Sequence, residues 1–153
     1  MTASAQAAVS VPEYAQLNRF NDSATKNTER HKEKLMVDVD TVRQIAYDIH
    51  LYFGSGFLEK VYENSLVNRL KKAGFEVEQQ SSLWVYDENG TKVGDYIADL
   101  IVNKELIIEI KAVKTISPAH IAQTLNYLKC TGIKEALIIN FGSYKFEIKK
   151  LVL

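Results

Sequence analysis

The sequence predicts a mixed α/β fold, in which a mixed β-sheet is flanked by helices in the order α-α-β-β-β-α-β-β. Apolar residues recur at helical spacing over residues 40–70, and the period changes to that of strands over residues 75–113. The chain of 153 residues has the length of one ordinary domain. Its 46% hydrophobic and 25% charged residues are typical of a globular protein.

The first part of the chain differs from the rest. Small and polar residues dominate residues 1–35, and the few apolar side chains there are isolated rather than periodic. We expect a flexible N-terminal arm over residues 1–35 and one domain over residues 36–153.

Two helices open this domain. The first runs to Phe53 and is stopped by Gly54, and the second ends near Gly74, a residue that favours the left-handed conformation after a helix. The predicted apolar faces comprise Val42, Ile45, Ala46, Ile49, Tyr52 and Phe53 in the first helix and Leu58, Val61, Tyr62, Ser65, Leu66 and Leu70 in the second.

Three strands follow. Residues 75–86 and 92–102 are rich in strand formers, and the segment Asp87-Glu-Asn-Gly90 between them has the residues of a tight turn. Residues 106–113 form the third predicted strand.

A helix and two further strands complete the pattern. Ser117 and Pro118 are typical of the N-cap and the first residue of a helix, which continues to about Cys130. Residues 136–140 form a continuous apolar run, which indicates a strand buried on both faces. Residues 145–151 alternate apolar and charged side chains, as a last strand would.

Composition excludes several classes of protein. The 19 basic and 19 acidic side chains cancel, which argues against a protein that coats nucleic acid by bulk charge but allows a local basic groove. Cys130 is the only cysteine, so neither an internal disulfide nor a cysteine zinc site is expected. The chain shows no signal peptide and no run of about 18 apolar residues, so we expect a cytoplasmic protein that does not contact a membrane.

Two charged residues interrupt the third strand. In Leu106-Ile-Ile-Glu-Ile-Lys-Ala-Val113, strand alternation places Glu109 and Lys111 on the same face. Burying a charge is costly unless it is paired or binds an ion. The alternative is a half-exposed strand that carries an ordinary surface ion pair.

Asp99 lies in the preceding apolar strand, ten positions before Glu109. A three-residue loop at Asn103-Lys-Glu105 would place Val102 opposite Leu106, and hence Asp99 opposite Glu109. A two-residue loop would turn Asp99 to the other face, so the hairpin register tests this prediction. Two opposed carboxylates repel unless a cation lies between them, and their hard oxygen ligands suit Mg²⁺ or Mn²⁺.

Two helices supply further candidates. Glu59 lies within the apolar arc of the second helix, where its carboxylate would point to the edge of the core, although a first-turn glutamate is also favoured by the helix dipole. Gln123 and Tyr127 are one turn apart on the third helix, away from its apolar stripe of Ile121, Leu125 and Leu128. His120 shares their face, and a lone histidine there is more often a bystander than a ligand.

These residues resemble a known family. Asp99, Glu109 and Lys111 resemble the D…ExK core of the PD-(D/E)XK nuclease superfamily, whose fold is restriction-endonuclease-like. The segment Gly56-Phe-Leu-Glu59-Lys-Val-Tyr62 is similar to the motif of the GxxExxY proteins, a prokaryotic family placed in that superfamily. Gln123-x-x-x-Tyr127 resembles the QxxxY motif of RecB-type members.

The resemblance implies a role for each matching position. Asp99, Glu109 and the backbone carbonyl of Ile110 would hold Mg²⁺ or Mn²⁺, and Glu59 would help to hold a metal or its water. Lys111 would orient or polarise the attacking water, and the QxxxY pair, Gln123 and Tyr127, would position the phosphate backbone. The family often has a basic residue before Ala-Asp where this chain has Ile97, and the proline of the PD motif is absent.

The leading hypothesis is therefore a Mg²⁺-dependent nuclease that hydrolyses the phosphodiester bonds of nucleic acid. DNA is favoured over RNA as the substrate, and a homodimer is compatible with cutting two strands. The alternative is a catalytically silent nucleic-acid-binding or assembly module that keeps the nuclease fold. A third hypothesis is a structural interaction protein in which Glu109 and Lys111 form only a surface pair.

Overall fold

The computed structural model of the chain describes residues 36–153. The predicted N-terminal arm, residues 1–35, lies outside the described residues. The predicted order of helices and strands is confirmed. The elements are α1 (Val39–Phe53), α2 (Glu59–Lys72), β1 (Val77–Tyr86), β2 (Lys92–Val102), β3 (Leu106–Lys111), α3 (Pro118–Thr131), β4 (Glu135–Asn140) and β5 (Glu147–Val152).

The strands form one mixed sheet in the order β1-β2-β3-β4-β5. β1, β2 and β3 pair antiparallel in a meander, β3 and β4 are parallel, and β5 returns antiparallel to β4. The crossover between the two parallel strands is α3, as a parallel pair requires. β3 is thus the central strand, and every residue from Leu106 to Ile110 is buried.

Helices cover both faces of the sheet. α1 and α2 pack on one face, where the core contains Ile49, Leu66 and Ile108. α3 packs on the other face, where Leu128 meets Ile107 of β3. Neighbouring residues of β3 therefore point into different cores, which accounts for its nearly unbroken apolar sequence.

The ends of the helices follow the predicted local chemistry. The side chain of Ser117 accepts a hydrogen bond from the His120 N–H and Pro118 is the first residue of α3. His120 returns the capping interaction, because its Nδ1 accepts the Ser117 N–H at 3.1 Å. This contact assigns His120 to the helix cap rather than to a ligand set.

Three predicted details are wrong. β3 ends at Lys111 rather than at Val113. Tyr52 and Leu58, which the helical spacing placed on buried faces, are 75% and 78% exposed. Tyr52 is the penultimate residue of α1, and Leu58 is the N-cap of α2. The periodic pattern of apolar residues therefore extends beyond the part of each helix that the sheet covers.

β3 ends where a buried asparagine captures the chain. Asn140, which is fully buried at the end of β4, accepts the Val113 N–H through Oδ1 at 3.0 Å and donates through Nδ2 to the Val113 carbonyl at 2.9 Å. Nδ2 also donates to Glu147 at 2.8 Å. A side chain thus replaces the strand partner directly after Lys111, and fixes the start of the segment that leads to α3.

Gly142 lies against this segment. A Cβ atom at Gly142 would lie 2.3 Å from the Val113 backbone nitrogen and 2.4 Å from the Ala112 carbonyl carbon. We expect Gly142→Ala to lower the free energy of unfolding by about 3 kcal/mol, because backbone atoms on both sides would have to move. Urea denaturation measures this loss. Gly94→Ala is the matched control, since the nearest atom to its new Cβ is 4.0 Å away; an equal loss in both variants would contradict this explanation.

No helix among residues 36–153 combines the length and the apolar character needed to cross a membrane.

Candidate active site

The loop between β2 and β3 sets the register on which the site depends. Val102 pairs with Leu106, which leaves the predicted three-residue loop, and Leu100 pairs with Ile108. The turn is closed by a hydrogen bond from the Glu105 N–H to the Val102 carbonyl at 2.9 Å. In this register Asp99 and Glu109 are the first opposed pair beyond the end of the ladder, so the predicted juxtaposition is confirmed.

Side chains replace the backbone pairing at this point. The Asp99 N–H donates to Glu109 Oε1 at 3.0 Å. The Ile110 N–H donates to Asp99 Oδ2 at 2.8 Å. Each carboxylate thus accepts an N–H of the opposite strand, so side-chain-to-backbone hydrogen bonds join the two strands beyond the end of the ladder.

Burial and mutual repulsion act on both acids. Burial, followed by the negative charge of Asp99, raises the pKa of Glu109 to about 8. Burial also raises the pKa of Asp99, and the hydrogen bond from the Ile110 N–H opposes that effect. Glu109 is only 3% exposed, so the half-exposed surface strand of the third hypothesis is wrong. Glu109 is buried and Asp99 is half-buried, and neighbouring acids with raised pKa values are a frequent feature of functional sites.

Lys111 lies near this pair of carboxylates but is too far from Glu109 for a hydrogen bond. Its Nζ lies 3.9 Å from Glu109 Oε2, and its side chain is 16% exposed. This distance is longer than a charge-assisted hydrogen bond, so the ammonium group keeps its donors available at the carboxylate pair.

Glu59 reaches the same end of β3 from the other layer. It is the first residue of α2, and its Oε1 accepts the Ala112 N–H at 3.4 Å. Its charge also contributes to the raised pKa of Glu109, after the effects of burial and Asp99. Glu59 is exposed rather than tucked under the core edge, which leaves its carboxylate open to the solvent side of the site.

The other fixed positions of the Gly56-to-Tyr62 segment hold Glu59 in place. Gly56 has a φ of 117°, which side chains rarely adopt, so the turn requires glycine. The Tyr62 hydroxyl donates to the Gly54 carbonyl at 2.6 Å and accepts the Phe57 N–H at 3.2 Å. Tyr62 is fully buried, so its role is to anchor the turn that precedes Glu59.

We expect Tyr62→Phe to lower the free energy of unfolding by about 1–2 kcal/mol, because it removes both hydrogen bonds and leaves the ring in place. The ring remains stacked on Phe141, 4.6 Å between centroids. Thermal or urea denaturation measures the change. Tyr144→Phe, at a residue 93% exposed, should have no effect; a neutral Tyr62→Phe would contradict the anchoring role.

α3 contributes Tyr127. Its ring is buried in the core that also contains Leu128, so the prediction that Tyr127 lies away from the apolar stripe is wrong. Burial, and then the charges of Glu109 and Asp99, raise the pKa of the Tyr127 hydroxyl, which therefore stays protonated and able to donate. Gln123, one turn earlier, is half-buried.

Three polar residues that the sequence analysis missed adjoin the site. Glu63 is 3% exposed, and its Oε1 accepts hydrogen bonds from Gln79 Nε2 at 2.6 Å and from Gln80 Nε2 at 2.9 Å. Gln80 also donates to Asp99 Oδ1 at 3.2 Å. The spacing of Glu63 one turn after Glu59 was a usable signal. The adjacent residues Gln79 and Gln80 carry no sequence signal that would place them at the site.

The donor set fits a hard divalent cation. In the part of the chain that the structure describes, the carboxylates of Asp99 and Glu109 have no positively charged partner closer than Lys111, and a cation between them would relieve their mutual repulsion. Within residues 36–153 no three His, Cys, Asp or Glu side chains converge as a ready cage. This arrangement suits Mg²⁺, which usually takes one or two carboxylates and keeps several waters.

Comparisons with known proteins agree with this fold. Residues 37–151 match the sequence profile of the PD-(D/E)XK nuclease superfamily. The chain is also similar in fold to the crystal structure of SSO0001, with a TM-score of 0.50 and 17% sequence identity, over 74% of this chain and 58% of that one. No curated protein matches the sequence significantly.

The profile match covers most of the described residues, including both strands that carry the carboxylates and the helix that carries Tyr127. The three helices and the five-stranded mixed sheet are those of a restriction-endonuclease-like fold. The narrower GxxExxY assignment stays a prediction. The chain belongs to the PD-(D/E)XK nuclease superfamily.

Proposed function

We propose that this protein is a Mg²⁺- or Mn²⁺-dependent nuclease that hydrolyses phosphodiester bonds. The observation that carries the proposal is the pair of acids at the open end of the β2–β3 ladder. Asp99 and Glu109 are opposed, both have raised pKa values, and Lys111 lies 3.9 Å from Glu109. An inert core has no use for such an arrangement, since unpaired buried charge destabilises a fold.

The proposed ligands come from three elements. Asp99 of β2, Glu109 of β3 and the Ile110 carbonyl would hold the cation, and Glu59 of α2 would hold it or a water bound to it. A divalent cation at this position would lower the pKa of water and offset charge at phosphorus. Hydrolysis would form a bond from the water oxygen to phosphorus and break the bond to the leaving oxygen, which would take up the proton lost by the water.

Lys111 is the proposed partner of the water and the phosphate. Lys111 is the last residue of β3, and its positive charge acts on both Asp99 and Glu109. A positive charge held there orients the attacking water and stabilises charge that develops on the phosphate oxygens. Its separation of 3.9 Å from Glu109 leaves its N–H groups free to point to the substrate.

α3 would hold the substrate. The Tyr127 hydroxyl, whose pKa is raised by burial and by the charges of Glu109 and Asp99, stays protonated as a donor, and Gln123 offers an amide one turn away. We propose that both groups position the phosphate backbone. DNA is the favoured substrate over RNA. We favour the cytoplasm as the location, because a reducing compartment suits a chain whose single cysteine, Cys130, is free. A homodimer is compatible with this role.

A cleavage assay tests the proposal. Labelled single- and double-stranded DNA and RNA are incubated with the full chain in Mg²⁺, Mn²⁺ or EDTA. The proposal expects cleavage of at least one substrate with either cation and none in EDTA. Binding of nucleic acid without turnover in any condition would favour the silent binding module instead.

A further inference from the structure

Gln80 has an unusual backbone for a residue in the interior of a strand. Its φ is 55°, in the left-handed region that non-glycine residues rarely adopt. Its neighbours pair normally, Gln79 with Leu100 and Ser81 with Ala98. The strain is therefore confined to one residue, and that residue is opposite Asp99. Such local strain persists only where surrounding contacts hold it.

The conformation directs the Gln80 side chain to the site. Its Nε2 donates to Glu63 Oε1 at 2.9 Å and to Asp99 Oδ1 at 3.2 Å. An amide nitrogen has two hydrogens, so both donors are used. Gln80 thereby joins Glu63 of α2 to Asp99 of β2, a proposed ligand of the cation.

The helix end of this link is fixed. Glu63 is buried in α2, and its Oε1 also accepts Gln79 Nε2 at 2.6 Å and pairs with Lys60 at 3.0 Å. The strand end is constrained too, because the other Asp99 oxygen accepts the Ile110 N–H. Gln80 therefore holds one carboxylate oxygen while the β3 backbone holds the other.

We propose that Gln80 is a positioning residue, which ties Asp99 to Glu63 and holds the Asp99 carboxylate in the orientation that accepts the Ile110 N–H. The inference that this orientation serves cation binding rests on the proposed nuclease function. The orientation itself does not, because it concerns contacts within the chain.

Amide hydrogen exchange tests the orientation without metal or substrate. The variants are Gln80→Ala and Gln80→Gly, which both remove the amide, while only glycine relieves the left-handed strain. Ser82→Ala is the control, since Ser82 is an exposed residue of the same strand and pairs with Ile97, away from Glu63 and Asp99. We expect exchange at Ile110 to rise about tenfold in both Gln80 variants and to stay unchanged in Ser82→Ala.

Ile108 serves as the internal reference, because it pairs with Leu100 through the backbone ladder. Its exchange should stay as in the wild type. Unchanged protection of Ile110 in the Gln80 variants would overturn the proposal. So would an equal rise along all of β3, because Gln80 would then support the sheet rather than Asp99.

Calorimetric titration with Mn²⁺ and cleavage kinetics extend the test to the active site. Both Gln80 variants should bind Mn²⁺ about tenfold more weakly and show a lower kcat with an unchanged KM for nucleic acid. Wild-type affinity and kcat in both variants would overturn this part. A wild-type protein that neither binds Mn²⁺ nor cleaves would refute the nuclease proposal, and exchange at Ile110 would still decide the role of Gln80.

Discussion

Glu109→Ala is expected to abolish both cation binding and cleavage, whereas Lys111→Ala abolishes cleavage and leaves cation binding intact. Glu109 supplies a carboxylate to the proposed cation, while the Lys111 ammonium, 3.9 Å from Glu109, acts on the water and the phosphate. We expect each substitution to lower kcat by about 10²-fold or more, the range typical of losing one group that stabilises developing charge.

Parallel measurement of Mn²⁺ affinity and cleavage rate separates the two roles. Lys150→Ala is a suitable control, because Lys150 of β5 forms an exposed ion pair with Glu135 of β4 at 3.1 Å. This substitution should leave the Mn²⁺ affinity and the cleavage rate within twofold of the wild type. A Lys111→Ala protein with normal turnover would refute the role given to this lysine.

The second large effect is a pH dependence of stability in the metal-free protein. Because the folded state raises the pKa of Glu109 to about 8, native Glu109 binds more protons than the unfolded chain at intermediate pH. Stability from this group is therefore complete below its unfolded pKa, about 4.5, and is lost as the pH rises through about 8. The loss is on the order of 3–5 kcal/mol.

Urea denaturation in EDTA at several pH values measures this dependence. Glu109→Gln removes the titrating group. Between pH 5 and pH 8.5 the unfolding free energy of the wild type should therefore fall by about 3–5 kcal/mol relative to that of Glu109→Gln. Saturating Mn²⁺ at high pH should restore the stability of the wild type. Curves of the same shape for both proteins in EDTA would show that Glu109 does not titrate as described.

The sequence was sufficient for features that rest on local chemistry. Ser117 and Pro118 start α3 as predicted, since capping depends on a few adjacent residues. For the β2–β3 hairpin, by contrast, the sequence left two loop lengths open, and the three-residue loop of the structure selects the register in which Asp99 opposes Glu109.

Features that depend on contacts between layers could not be read from the sequence. Tyr127 is buried because β2 and α3 meet at Tyr96, 5.4 Å between ring centroids, and helical spacing does not show which neighbours a face will have. The left-handed Gln80 is held by Glu63 and Asp99, which lie 17 and 19 residues away in the chain. β3 ends at Lys111 because the Asn140 side chain forms hydrogen bonds with the Val113 N–H and carbonyl in place of a neighbouring strand.

Titration of Mn²⁺ into the wild-type protein and into Asp99→Asn, followed by isothermal calorimetry at pH 8.5, above the pKa of about 8 of Glu109, tests the proposed cation site most directly. Asparagine keeps the shape of the side chain and removes its charge. We predict saturable binding to the wild type and an affinity at least about tenfold lower in Asp99→Asn, the loss of one charged ligand. Equal affinities in the two proteins, or no binding to the wild type, would contradict a cation site between Asp99 and Glu109.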